Sequence, residues 1–270
     1  MYTKFNYSPS DFFYNDTLNS HLVAGCSIYN NHKKEVHDCL AEYITEDGVI
    51  NGTALKDHWF SILKKDIFIS HSHTDINKVK AFAGWLHDCF GLEAFIDSCS
   101  WGYCDDLLNK IDKRYCYKPL KGTYDYDLRN YTTSHVHMML STALTEMMDQ
   151  TECIIFFNTP NSISLATELN KIKKKGGTHT TISPWIYHEL SMTTMLRAVE
   201  PMRYEPILEH FAQESRAKPQ IAYDVSKALK EMATLTDEQL RQWERNWTTA
   251  PKTPPQHALD ELYKIVFSKE

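Results

Sequence analysis

Two stretches of this chain carry side chains able to do chemistry at a common point. The first is Asp66-Ile67-Phe68-Ile69-Ser70-His71-Ser72-His73-Thr74-Asp75, an apolar run that ends abruptly in hydroxyl, imidazole and carboxyl groups. The second is Ser183-Pro184-Trp185-Ile186-Tyr187-His188-Glu189. On a helix, the spacing of Trp185 and Glu189 puts both on one face. Glu189 then sits in the second turn, and its side chain leans back toward the helix amino end. Asp97, which closes the run Leu92-Glu93-Ala94-Phe95-Ile96, offers a third polar group. In one parallel sheet with its following helix, a carboxylate and an aromatic plate would meet two polar strand ends in a single crevice. The plainer alternative, an amphipathic helix with a surface Glu, is the one that spacing alone favours.

Other constellations are weaker. His71 with His73, and His135 with His137, invite a zinc reading that Cys99, Cys104 and Cys116 could join. No CxxC or HxxxH pair accompanies them and the spacings match no common zinc site, so no metal is expected. The chain has no P-loop, no GxGxxG and no GxSxG. His71 and Ser72 leave a strand on diverging sides, which argues against a hydrolase triad.

The elements that must position these groups can be read from periodicity. Asp66–Ser70 reads as a buried strand opening into a polar loop. A helix follows over about Asp75–Phe90, with Val79, Phe82, Ala83 and Leu86 on one face. Gly91 stands where a left-handed cap is common. Leu92–Asp97 is a second strand, Ser98–Cys104 a loop, Asp105–Tyr115 a short helix and Tyr117–Thr133 a long surface loop. Ser134–Gln150 is a helix whose Met138, Met139 and Met147 are read as core. Cys153–Asn158 is a third strand, apolar up to its closing Asn158, as expected for a strand covered on both faces. A basic helix runs to Lys175. Ser183 caps the next helix and Pro184 opens it. Residues 205–213 are read as helical and Gln220–Val225 as a last strand. Thr236 with Gln239 makes a capping box, and His257–Phe267 is a final helix.

Residues 1–62 read as an aromatic lead-in that covers the main domain, with helices at Glu35–Tyr43 and Thr53–Leu63. Strands separated by helices predict an α/β fold: a parallel sheet with helices on both faces. In such sheets ligands bind at the carboxyl ends of the strands.

The chain has 270 residues, 42% of them hydrophobic, enough for a substantial core. Its formal net charge of −6 argues against a nucleic-acid-coating surface. The 7 cysteines are odd in number and follow a polar, aromatic start, so free thiols in a cytoplasmic protein are expected. No apolar run is long enough to span a bilayer, so no membrane partner is expected.

Taken in order, Asp66-Ile67-Phe68-Ile69-Ser70-His71-Ser72 with Asp75, then Gly91 and Ala94-Phe95-Ile96-Asp97, an apolar third strand, and Ser183-x-Trp185-x-x-x-Glu189 resemble a TIR (Toll/interleukin-1 receptor homology) domain. The resemblance covers roughly residues 64 to 230. It implies a flavodoxin-like five-stranded parallel sheet and a division into an N-terminal extension (1–62), a TIR domain (63–232) and a C-terminal helical extension (233–270).

Enzymatic members of that family cleave NAD at the nicotinamide–ribose bond. The resemblance makes Glu189 the catalytic residue and Ser70, His71, Ser72, Asp97, Trp101, Ser183 and Trp185 the substrate-binding residues. NAD is substrate, with no separate cofactor. The chain is similar to stand-alone bacterial TIR proteins, including those of Thoeris-type antiphage systems. That implies a cyclic or modified ADP-ribose signal for a separate effector protein, and a homo-oligomer on activation. The alternatives are a non-catalytic scaffold working through TIR–TIR contact and a simple NAD-depleting hydrolase. Glu189, near a helix amino end, is expected to stay ionised.

Overall fold

The computed structural model describes residues 1–33, 40–44, 49–60, 64–165, 179–201, 223–249 and 255–267. Its centre is a sheet of five strands, all parallel: β1 (Thr3–Tyr7), β2 (Ile67–Ser70), β3 (Ala94–Ile96), β4 (Cys153–Phe157) and β5 (Ala233–Leu235). Their spatial order is β5-β1-β4-β2-β3. The helices used below are α1 (Leu22–Lys33), α2 (Gly52–Trp59), α3 (Ile76–Phe90), α4 (Ser98–Ile111), α5 (Tyr126–Gln150), α6 (Pro184–Met195), α7 (Ser226–Glu231), α8 (Asp237–Thr249) and α9 (Gln256–Phe267). The expected α/β, flavodoxin-like architecture is what the chain adopts.

Strand alternation sorts the core into two layers. Ile67 and Ile69 join Phe5, Ile155 and Phe157 on one face, under Phe82 and Trp85 of α3, Trp243 of α8 and Leu259 of α9. Phe68 turns to the other face with Phe95 and Ile154, under Leu55 of α2, Leu107 of α4 and Leu140 of α5. Further along that face, Ile186 and Leu190 of α6 and Leu229 of α7 pack on Phe156. Gly91 caps α3 at φ +69°, as its position predicts. The Thr236–Gln239 capping box also forms, each backbone N–H bonded to the other's side chain.

The predicted domain division differs from the structure at both ends. β1 comes from the supposed N-terminal extension and lies inside the sheet, hydrogen-bonded to β4 on one side and β5 on the other. It occupies the place where a flavodoxin-like sheet would use its fourth strand in sequence. β5 and the two helices after it, read as an extension beyond residue 232, complete the sheet and its first layer. The aromatics of β1 hid the strand, because Phe5 and Tyr7 are buried while Tyr2 and Lys4 are half-buried, and the segment is short.

Two loop assignments and one strand assignment also change. Ser98–Cys104 is the start of α4. The stretch Tyr117–Thr133 is a small hairpin, Tyr117–Lys118 against Thr123–Tyr124, followed by α5, which begins at Tyr126 because Asp125 caps it by accepting from Asp127 and Leu128 N–H. Tyr223–Asp224 pairs antiparallel with His179–Thr181 in a separate small sheet and is not a fifth parallel strand. Where the basic helix to Lys175 is expected to begin, Ser164–Leu165 is a strand paired antiparallel with His179 and Thr180, while the rest of that helix and the one at 205–213 lie outside the described residues.

Candidate active site

β2 and β3 pair in register, with Ile69 opposite Ile96, so Ser70 and Asp97 leave the sheet side by side at its carboxyl edge. Ser70 continues the alternation and points to the same face as Phe68. That face is where α6 crosses. The local sequence fixes α6 well: Ser183 Oγ accepts from Ile186 N–H at 3.3 Å and Pro184 occupies the first turn. At its other end, Lys4 Nζ donates to the Thr193 carbonyl at 2.7 Å and forms an ion pair with Glu231.

Held this way, α6 brings Glu189 down onto the strand ends, with no solvent exposure. Ser70 Oγ donates to Glu189 Oε2 at 2.6 Å. Asp97 is the other, acidic neighbour of the Glu189 carboxyl. Asp97 Oδ1 in turn lies 2.5 Å from His71 Nδ1 and accepts from Ser98 N–H at 2.7 Å. Ser70, His71, Asp97, Ser98 and Glu189 therefore form one buried polar cluster where apolar core would otherwise continue.

Its electrostatics reverse the expectation for Glu189. Burial, and then the Asp97 carboxylate beside it, push the Glu189 carboxyl well above the usual carboxylate range, against the opposing pull of the Ser70 hydroxyl. The helix amino end does not rescue the charge, because the dipole acts over the first turn and Glu189 stands in the second. Five buried side-chain polar atoms have no hydrogen-bond partner among the described residues, and three of them are here: His71 Nε2, Ser98 Oγ and Glu189 Oε1. The others are indole N–H groups of Trp59 and Trp85. Each such atom costs about 1–3 kcal/mol, so their concentration marks a place shaped for something other than packing.

A second cluster braces the same edge. Buried Asp75 accepts from Thr159 Oγ1 at 2.6 Å and from Asn161 Nδ2 at 2.9 Å, tying the turn after β2 to the turn after β4.

Of the predicted site residues, Ser70, His71, Asp97 and Glu189 are brought together. Ser72 is half-buried at the start of a short turn, where its carbonyl accepts from Asp75 N–H. The Ser183 hydroxyl is engaged in capping. Trp185 lies in the seam between α5 and α6, its ring 5.4 Å from His137 and 6.4 Å from His188. Trp101 falls in the first turns of α4, and its side chain lies outside the described residues. Ser98 and the Asp75–Thr159–Asn161 brace were not anticipated. The signal for Ser98 was its position directly after a strand-ending Asp that caps a helix, a feature read instead as a loop.

Among the described residues, no group of three His, Cys, Asp or Glu side chains could hold a metal ion, and no helix is long and apolar enough to cross a membrane. Comparison with known protein families, with curated proteins and with solved structures finds no match. Fold and site together define a class: an α/β protein whose parallel sheet carries a buried Glu–Asp pair, a serine and a histidine at its carboxyl edge.

Proposed function

We propose that the chain is a TIR-type enzyme that cleaves NAD at the nicotinamide–ribose bond and yields a cyclic or modified ADP-ribose that signals to a separate effector in antiphage defence. The observation that carries this reading is the Ser70–Glu189 hydrogen bond, which holds the carboxyl group of the Trp-x-x-x-Glu segment at the carboxyl edge of β2 and β3. Loss of nicotinamide leaves positive charge on the ribose, as in glycoside hydrolysis. A carboxylate fixed beside that carbon stabilises it.

The raised pKa of buried Glu189 fits a substrate whose leaving group is already cationic. A positive ring arriving beside the Glu189–Asp97 pair favours ionisation of the pair, so the carboxylate forms where charge will develop. Ser70 holds Oε2 and leaves Oε1 for the ribose. Glu189 has no contact with solvent, so substrate requires the site to open.

That burial is also the one observation in favour of the scaffold reading, in which Glu189 only braces α6. One experiment separates the two. Wild type and Glu189→Ala are incubated with NAD, purified and in cells under phage challenge, and nicotinamide and ribose products are followed by chromatography with mass detection. Release by wild type and its loss in the variant support the enzyme. Equal behaviour of the two sinks it.

A further inference from the structure

The His71–Asp97 pair has the geometry of an acid–base dyad, and the reading of Glu189 does not use it. The His71 side chain is fully buried, and Asp97 is 3% exposed. Nδ1 is engaged by Asp97 Oδ1, which is itself held by the Ser98 N–H. A carboxylate on Nδ1 fixes the proton there and leaves Nε2 as the lone-pair nitrogen. Nε2, on the opposite edge of the ring, is one of the three unpartnered buried atoms of the site, with Glu189 Oε1 and Ser98 Oγ. A histidine serving only the core would have both nitrogens satisfied.

We propose that His71 is the acid–base catalytic residue of this site, with Asp97 as its positioning residue, and that it takes the proton from the hydroxyl that captures the ribose. This rests on the NAD reading above. The C1′–N bond to nicotinamide breaks and its electron pair leaves with the ring. An acceptor hydroxyl, from water or a sugar, forms the new O–C1′ bond. Its proton passes to His71 Nε2, and the Asp97 carboxylate stabilises the imidazolium. Opening of the site then returns that proton to solvent. Glu189 and His71 so have separate tasks: charge stabilisation at carbon and proton removal at oxygen.

Azide separates these tasks, because it is an anionic acceptor that needs no base. The full chain is incubated with NAD, with and without sodium azide, as wild type, His71→Gln, Asp97→Asn and Glu189→Gln. Thermal melting checks that each variant is folded. His71→Gln is expected to slow turnover about 100- to 10,000-fold, with azide restoring nicotinamide release and giving an azido-ribose product. Asp97→Asn is expected to lose less and to be restored in the same way, and Glu189→Gln is expected to stay inactive with azide. A folded His71→Gln with wild-type turnover, or one whose loss azide leaves untouched, overturns the assignment alone. Wild type that releases no nicotinamide overturns the NAD reading and takes this assignment with it.

Discussion

Ser70 and Glu189 meet across 119 residues of sequence in a 2.6 Å hydrogen bond that is sealed from solvent on both sides. The bond joins the last residue of β2 to the second turn of α6. A carboxyl group in that position has Asp97 as its second neighbour and, among the described residues, no cation to offset it.

A pH signature follows for stability. The folded-state pKa of Glu189 is raised, so the folded protein holds a proton that the unfolded chain releases at the ordinary carboxylate pKa. Stability therefore falls as pH rises from that range toward the raised value, by about 1.4 kcal/mol per pH unit within the window. Glu189→Gln removes this term, while its amide can accept from Ser70 and donate to Asp97. Thermal melts of the two proteins should coincide in acid and diverge as pH rises, with the Gln variant the more stable. Parallel curves would mean that Glu189 is ionised in the fold.

Ser70→Ala probes the same bond from the other partner. The hydroxyl opposes the upward shift of Glu189, so its loss pushes the carboxyl higher still and leaves Oε2 without a donor. The expected result is a loss of about 1–3 kcal/mol of stability and, on the proposed NAD reading, turnover impaired more than the melting curve explains. A variant with unchanged melting and unchanged turnover would show that the hydroxyl does nothing for Glu189.

The sequence was most legible where one signal had one physical meaning. The run Cys153–Phe157 could only be a doubly covered strand, and Ser183-Pro184 could only open a helix. The partners of Ser70 were less visible, because alternation tells which face a strand residue takes but not which helix arrives there. The direction of the Glu189 shift needed its depth and its distance from the helix end. β1 was misread because a five-residue strand whose partners lie near residues 155 and 234 has no local mark of its place. The neighbours of Trp185 were hidden for a related reason: sharing a helix side with Glu189 does not reveal that His137 of α5 meets the ring.

β1 supplies a direct test of its interior place. Phe5 is fully buried between the sheet and α9, stacked on Tyr263 and Phe267. Phe5→Ala should cost about 3–5 kcal/mol, read as a lower denaturant midpoint. A removable covering segment would show almost no change.

The contact between α1 and α3 gives the last prediction, at Gly84. A methyl group there would overlap the His21 carbonyl and the backbone of Gly25, and one on Gly25 would overlap the Lys80 carbonyl. The two helices thus cross with backbone on backbone, and each glycine makes room for the other helix. Alanine is the better helix former by about 1 kcal/mol, so a free α3 would gain from Gly84→Ala. In the folded protein the obstacle is backbone, which cannot swing aside as a side chain does, and overpacking of this kind costs about 1–3 kcal/mol or more. The clash should win. Gly84→Ala is expected to lower the melting temperature, and Gly25→Ala to do so independently. Since α3 starts at the turn that Asp75 braces beside the site, the displacement should also reduce the proposed NAD turnover. A stabilised Gly84→Ala would mean that helix propensity outweighs the crossing and that α1 does not sit against α3 this closely.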